Sequence, residues 1–468
     1  MSYNLGFRTV LTRINLHIAP MKTESAANTS ATPLRFRKTL SLPGMLQQVR
    51  NAFGKIIDTC KGSEYALIDV LMSGLAIFWL KYSALLKFDE NRNEPKIRAN
   101  LARLFGVEQA PCDTQLRKRL DEVSPEDMRP AFMRLHHQLQ RQHVLDEYRY
   151  LGGILLSVDG TGQFSSTKIS CSECCARRRG DDEQEYYHQL LGAAIVHPDK
   201  AQVFPVFPET ITHQDGERKN DCERNAAKRL LPALRAAFPQ RKFIVLEDSL
   251  QANGPHIKQL KELNFSYIIM AKPADHTALF REVNRRLMAG ETHAFERQDR
   301  HGVIRGYRWV NDLALNASHP HLRVNFLDHW EIDKQGRLHQ FTFITDIPLT
   351  EQNVILVAKA GRARWKVENE TFNTLKNLGY HLEHNYGHGE KHLASVFANL
   401  MMLMFLIDQI QEGCCALFKA ARQRFRSRTS LWGKIRGLFL EFYIENWEDL
   451  FRSIIFGHKA RALQPDTS

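Results

Sequence analysis

Apolar positions change their spacing near residue 150. Between Leu42 and Tyr150 they recur every three to four residues, the spacing of amphipathic helices. From Gly152 they gather into short, nearly continuous runs: Ile154–Val158, His188–Val196, Gln202–Phe207, Lys242–Leu246 and Tyr267–Ala271. Such runs suit strands buried on both faces. Helical spacing intervenes at Asp221–Phe238, capped by Asn220 or Asp221, and at Pro255–Leu263. The order is therefore β, β, β, α, β, α, β. Residues 276–350 lose that rhythm. Tyr307–Leu315, Arg323–Ile332 and His339–Ile344 alternate between Asn, Gly and Asp turns, which predicts an inserted β-rich subdomain. Helix returns at Glu351–Asn377 and Lys391–Gln411. The expected fold class is α/β, with a mixed sheet and covering helices. Its segments are a polar, disordered tail over 1–40, a helical domain over 41–150, a first core part over 151–275, the insertion over 276–350, a second core part over 351–412, and a C-terminal segment over 413–468.

The longest apolar stretch, Val396–Ile407, has twelve residues and contains Asn399. A membrane span needs about 20, so this stretch predicts a buried helix and no membrane partner. Hydrophobic residues at 43% and charged residues at 25% exclude wholesale disorder and collagen-like repeats. Eight cysteines in 468 residues are too few for a disulfide scaffold, which points to a reducing, cytoplasmic setting. Residues 1–23 hold Arg8, Arg13 and Lys22 and no acid, a faint transit-peptide pattern or a leader with Met21 as another start.

Charge alters the picture more. A net charge of +12 favours an anionic partner. The run Lys419–Arg436 holds seven basic residues and no acid: Lys419, Arg422, Arg424, Arg426, Arg428, Lys434 and Arg436, with Phe425 and Trp432 among them. Basic residues interleaved with aromatics suit a nucleic-acid backbone, and a solvated face is the alternative. Arg177, Arg178 and Arg179 invite the same two readings. Helices over Ile97–Phe105 and Thr114–Val123, the second with Arg117, Lys118 and Arg119, fit a DNA-reading helix-turn-helix or a plain bundle.

Candidate chemistry centres on acids that interrupt apolar elements. Asp159 ends the first strand in I-L-L-S-V-D-G-T-G, and Asp248 ends the fourth in F-I-V-L-E-D-S-L, 89 positions later. If those strands are neighbours, both acids open at the carboxyl ends of the sheet, where ligands bind. A third acid comes from R-A-R-W-K-V-E-N-E-T-F-N-T-L-K. At about 100° per residue, Glu368 shares a stripe with Trp365, Phe372 and Leu375, with Arg364 and Lys376 close by and Glu370 opposite. A core-facing carboxylate is costly unless paired or metal-bound; pairing with Arg364 is the structural alternative. Three carboxylates suit Mg²⁺ or Mn²⁺, and an ion pair held by them catalyses in-line phosphoryl transfer.

Cys171, Cys174 and Cys175 form C-x2-C-C, with His188 on the next strand and Cys222 before the following helix. Three cysteines and one histidine can hold tetrahedral Zn²⁺; buried reduced thiols and redox chemistry are the other readings. His384, His388 and His392 fall at helical spacing, but Gly387 and Gly389 predict a loop, with structural or DNA-contacting histidines.

These motifs resemble those of insertion-sequence transposases of the DDE type, the cut-and-paste members with an RNase H-like core. That family has an acid on strand one, an acid after strand four and a helical signature Y-x2-R-x3-E-x6-K. Arg364-x3-Glu368 fits it; Gly361 stands in the tyrosine's place and Lys376 comes one residue late. The runs Q-D-G-E-R-K-N-D-C-E from Gln214 and G-Y-H-L-E-H-N-Y-G-H-G from Gly379 also look like a subgroup of these enzymes, in which Gly is expected where Ser249 stands. The resemblance covers about residues 95–410. It implies that Asp159, Asp248 and Glu368 bind two Mg²⁺ or Mn²⁺ ions, cut DNA at transposon ends and join the 3′-OH to target DNA. It also implies that Arg364 and Lys376 contact phosphate, and that two copies meet in a synaptic complex. An RNase H-like nuclease and a catalytically silent DNA-binding derivative remain the rival readings.

Overall fold

The computed structural model describes residues 38–60, 62–180, 183–212, 221–457 and 463–465. The expected tail thus lies outside the described residues as far as residue 37, as does the motif stretch 213–220. Leu40, at its end, is buried.

The apolar runs do form strands. They are β1 (Gly153–Ser166), β2 (Cys175–Arg179), β3 (Glu183–Val196), β4 (Glu209–Ile211), β5 (Phe243–Glu247), β6 (Ser266–Met270), β7 (His293–Gln298), β8 (Ile304–Ala314), β9 (Arg323–Ile332) and β10 (Leu338–Thr345). With the short pieces Arg149–Tyr150 and Phe204–Pro205 they make one twelve-stranded mixed sheet, ordered β2-β3-β1-β5-β6-β10-β9-β8-β7, with β4 on β3. β1 runs antiparallel to β3 and parallel to β5; β5 runs parallel to β6. All five residues of β5 are buried, as a continuous apolar run requires.

The predicted β insertion is not a separate layer. β10 pairs antiparallel with β6, Phe343 opposite Met270, so the hairpin strands extend the main sheet. It also contains a helix the alternating pattern did not reveal, Thr277–Met288, which packs Phe280 edge-on against Phe326 of β9.

The described helices used below are α1 (Leu67–Trp79), α2 (Asp113–Asp121), α3 (Glu223–Ala237), α4 (Val354–Arg362), α5 (Leu393–Cys414) and α6 (Arg428–Glu441). α5 is long and apolar enough to cross a membrane, yet its apolar window is wholly buried inside the fold. Its polar residues are matched there. Asp408 accepts from Lys81 Nζ at 2.8 Å and from the Tyr380 hydroxyl, and Gln409 Oε1 accepts from Val203 N. The start of α5 is held by one carboxylate, since Asp121 accepts from the backbone amides of Glu390, Lys391, His392 and Leu393 at 2.7–3.0 Å. Two of these, His392 and Leu393, are amides that the helix start leaves orphaned; the other two belong to the approach to it.

Two segments expected to contact DNA are partly packed into the fold. α2 is the second helix of the suggested helix-turn-helix, but Arg119 is buried and bonds Asp58 at 2.7 Å and the Cys60 carbonyl. Arg117 pairs with Asp113. Arg117 and Lys118 are exposed on the same helix. The basic C-terminal run is likewise folded. Trp432 on α6 is core, edge-on to Trp79 at 5.7 Å, and Asn100 Nδ2 donates to the Phe439 and Phe442 carbonyls.

Candidate functional site

β1 and β5 pair in parallel from Ile154 opposite Phe243 to Ser157 opposite Leu246. Each pair differs by 89 in number, the same separation as Asp159 and Asp248. The last pair of that ladder lies two residues before each acid, and the two carboxylates are close enough for Asp248 to raise Asp159. Asp159 lies opposite Gly192 of β3 on its other side. Asp248 caps the turn Ser249–Gln251, its Oδ1 accepting from Leu250 N at 2.9 Å. Ser249 stands where glycine was expected, and its φ is not positive, so the turn has no need of glycine.

Asp159 Oδ2 accepts from Arg364 Nη1 at 2.7 Å. Arg364 is buried, and its carbonyl accepts from the buried Ser157 hydroxyl at 2.6 Å. Arg364 is therefore tied to β1 at two points. Burial pushes the Asp159 carboxyl above its ordinary range and Asp248 adds to that, while Arg364 opposes both.

A further carboxylate joins them that the sequence did not single out. Glu223 is the first residue of α3, and its carboxyl occupies the space a side chain on Gly160 would need, 2.1 Å from an ideal Cβ. Gly160 thus lets Glu223 approach Asp159. Burial first, then Asp159 and Asp248, raise Glu223 to about 7. In the sequence it was a first-turn acid, which helix-dipole preference explains equally well, and the last residue of the run from Gln214, with no role given to it.

Glu368 departs from its expected place. The predicted helix over Glu351–Asn377 breaks after α4 at Arg362, continues as a π turn over Val367–Phe372 and ends with Asn373–Asn377. A π turn closes i→i+5 bonds, so each residue advances less than 100° and the predicted phasing fails. Glu368 is exposed rather than core-facing, as is Trp365, whereas Thr371 and Phe372 are buried. The π turn still lies across β1 and β3, for Phe372 presses on Gly192, the residue opposite Asp159. Glu368 follows one turn after the arginine that touches Asp159. Gly361, in the place of the family tyrosine, sits against the Phe343 ring, where an added Cβ would come within 2.5 Å.

The cationic candidates divide. Lys376 pairs with Glu383 at 2.9 Å, and Arg428 grips both oxygens of Glu412 at 2.7 Å. Arg422 donates to the Phe425 carbonyl. Arg424 and Arg426 are exposed. On the edge strand β2, Arg177 and Arg179 share Glu185, and Arg178 is exposed.

The cysteine cluster forms with a changed membership. Cys171 Sγ lies 3.6 Å from Cys174 Sγ and 3.4 Å from His188 Nε2. Cys174 Sγ lies 3.2 Å from His188 Nε2 and 3.4 Å from His388 Nδ1. These four could hold a metal such as zinc. Cys175 follows Cys174 and begins β2, where successive side chains take opposite faces. Its thiol donates to the Thr212 carbonyl at 3.2 Å instead. Cys222 is exposed. His388, left as a structural or DNA-contacting loop residue, supplies the fourth group.

Compared with models of known protein families and with curated proteins, the chain matches none.

Proposed function

We propose that the chain is a DDE-type transposase with an RNase H-like core, cutting DNA at transposon ends and joining them to target DNA. The observation that carries this reading is the approach of Asp159, inside β1, to Asp248, just past the end of the parallel strand β5, with Arg364 bonded to Asp159. The strand order β4-β3-β1-β5-β6, antiparallel on one side of β1 and parallel on the other, supports it. So does the π turn bearing Glu368, which lies across β1 and β3 beside Asp159.

The residues fit a divalent cation. Asp159 and Glu223 are acids whose charge is disfavoured by burial and by the nearby Asp248. Hard oxygen donors in that state are what Mg²⁺ or Mn²⁺ relieves. Asp159 and Asp248 would hold the ion, with Glu368 as the third ligand and Glu223 beside them. When bound, the ion lowers the pKa of an attacking water or hydroxyl and offsets charge on the phosphate. Arg364 positions Asp159 through its 2.7 Å bond and offers its remaining N–H groups to a phosphate oxygen. Below pH 7 Glu223 is largely protonated and can donate a hydrogen bond to an anionic substrate.

The test uses the purified chain, Mg²⁺ and DNA carrying the ends of its own element. Free 3′-OH ends followed by joined products are expected. Hydrolysis without joining of pre-cleaved 3′-OH ends would make it a nuclease. Tight end binding with neither product would make it a silent DNA-binding derivative.

A further inference from the structure

We propose that Cys171, Cys174, His188 and His388 hold one Zn²⁺ ion in a closed tetrahedral site, which clasps β3 and the loop after β1 to the segment following Glu368. In a tetrahedron with Zn–S near 2.3 Å and Zn–N near 2.0–2.1 Å, neighbouring sulfurs stand about 3.8 Å apart and sulfur and nitrogen about 3.5 Å. The four contacts measure 3.6, 3.4, 3.2 and 3.4 Å, close to those edges. Cys174, His188 and His388 are buried and Cys171 half-buried. The Cys171 amide donates to Cys174 Sγ at 3.3 Å, which folds the C-x2-C turn so that both sulfurs point one way. Burying two thiolates is costly unless a cation balances them, and one Zn²⁺ leaves the set neutral.

Hydrogen-bonded reduced thiols are the competing account. The loop is already anchored without them: Ser172 Oγ donates to the Glu390 carbonyl at 3.0 Å, and Glu173 meets His392 Nδ1 at 2.9 Å. Docking therefore does not explain why two thiols and two imidazoles from three separate segments converge. Zinc is also favoured over a two-iron cluster. Such a cluster would need the histidines on one iron and the cysteines on the other; here Cys174 touches both histidines.

Four protein ligands leave no open position, so the ion is structural rather than catalytic. It also lies away from the carboxylates. His188 is four residues along β3 from Gly192, the partner of Asp159, or about 13 Å at 3.3 Å per residue. His388 belongs to the stretch between Lys376 and α5, so the ion would join the end of the Glu368-bearing segment to β3.

Metal analysis of the purified full chain should find about one equivalent of zinc. Co²⁺ exchanged into it should show tetrahedral visible bands and thiolate-to-cobalt charge transfer. Cys174→Ser and His388→Ala should each fall below about 0.2 equivalents, while Cys175→Ser and Cys222→Ser keep about one. His388→Cys, which restores a ligand, should recover the ion. Should any variant fail to fold, the unmodified chain decides. Iron in place of zinc, or a chain that neither retains zinc nor takes it up one-to-one, overturns the proposal. So does loss of zinc from Cys175→Ser with retention in His388→Ala. None of these readouts involves DNA, so this site stands or falls separately from transposase activity.

Discussion

Toward one end of the β1–β3 pair Asp159 meets Asp248 and Glu223; toward the other, Phe164 packs tilted against His188 at 5.1 Å and edge-on against His388 at 4.9 Å. Both clusters sit on the same two strands, yet their chemistry is opposed. The first gathers hard anionic oxygens, with Arg364 as the cation bonded to Asp159. The second gathers soft sulfur and imidazole nitrogen, each within 3.2–3.6 Å of another of its members. Excess like charge in a partly buried site favours a cation that would balance it. A self-satisfied thiol and imidazole set closes on itself. One sheet can therefore carry a reactive end and a rigid end, because donor type rather than fold decides what each holds.

Substitutions can separate the two ends. Asp159→Ala or Asp248→Ala should lower DNA cleavage by about a thousandfold, since several kcal/mol of transition-state stabilisation are lost at about 1.4 kcal/mol per tenfold. Zinc content should be unchanged. A simultaneous loss of zinc would mean that the clusters are coupled through folding. Glu368→Ala should match the aspartates in cleavage assays while Glu370→Ala is far milder; the reverse ranking would move the third ligand along the π turn.

Arg364→Ala should slow cleavage at least about tenfold and hardly change end binding, because its charge bears on Asp159 and the reacting phosphate. Equal losses in both would make it a binding contact only.

The carboxylate end should also leave a signature in stability. Glu223 is raised to about 7 in the folded chain from an ordinary value near 4.5. Between those values the folded state holds more protons than the unfolded one, so stability falls as pH rises through that window. The loss is up to about 2 kcal/mol once partial exposure is allowed for. Denaturant midpoints from pH 4.5 to 7 should therefore decline in Mg²⁺-free buffer, and Glu223→Gln should flatten the decline. A midpoint that rises with pH would show that Glu223 is not crowded by the two aspartates.

The smallest expected effect concerns the C-terminal charges. Arg424→Gln with Arg426→Gln should flatten the slope of log affinity against log salt by roughly 2 units, about 0.9 per contact. Arg428→Gln should leave the slope unaltered, because Glu412 already holds that guanidinium. An unchanged slope in the double variant would take DNA off this face.

Much of this architecture was legible in the residues. Burial on both faces demands unbroken apolar runs, so β1, β3, β5 and β6 announced themselves, and an acid ending two such runs stood out. The 89-residue separation of Asp159 and Asp248 already held the register, once those strands are neighbours. What stayed hidden depended on contacts between distant segments. The alternating residues of β8 to β10 described strands but not the sheet they join; pairing of Phe343 with Met270 decided that. Constant helical phasing put Glu368 inward, and a π turn fitted over Gly192 turned it outward. Glu223 looked like a helix-start acid until Gly160 made room for it. Local spacing proposed Cys175 and Cys222 beside Cys171 and Cys174. Strand alternation removed the first, exposure the second, and His388 came in from 214 residues beyond Cys174. Residue type and period act within a few neighbours and were readable in order along the chain; the company each donor keeps is set by which backbones close against each other, and only the folded chain decides that.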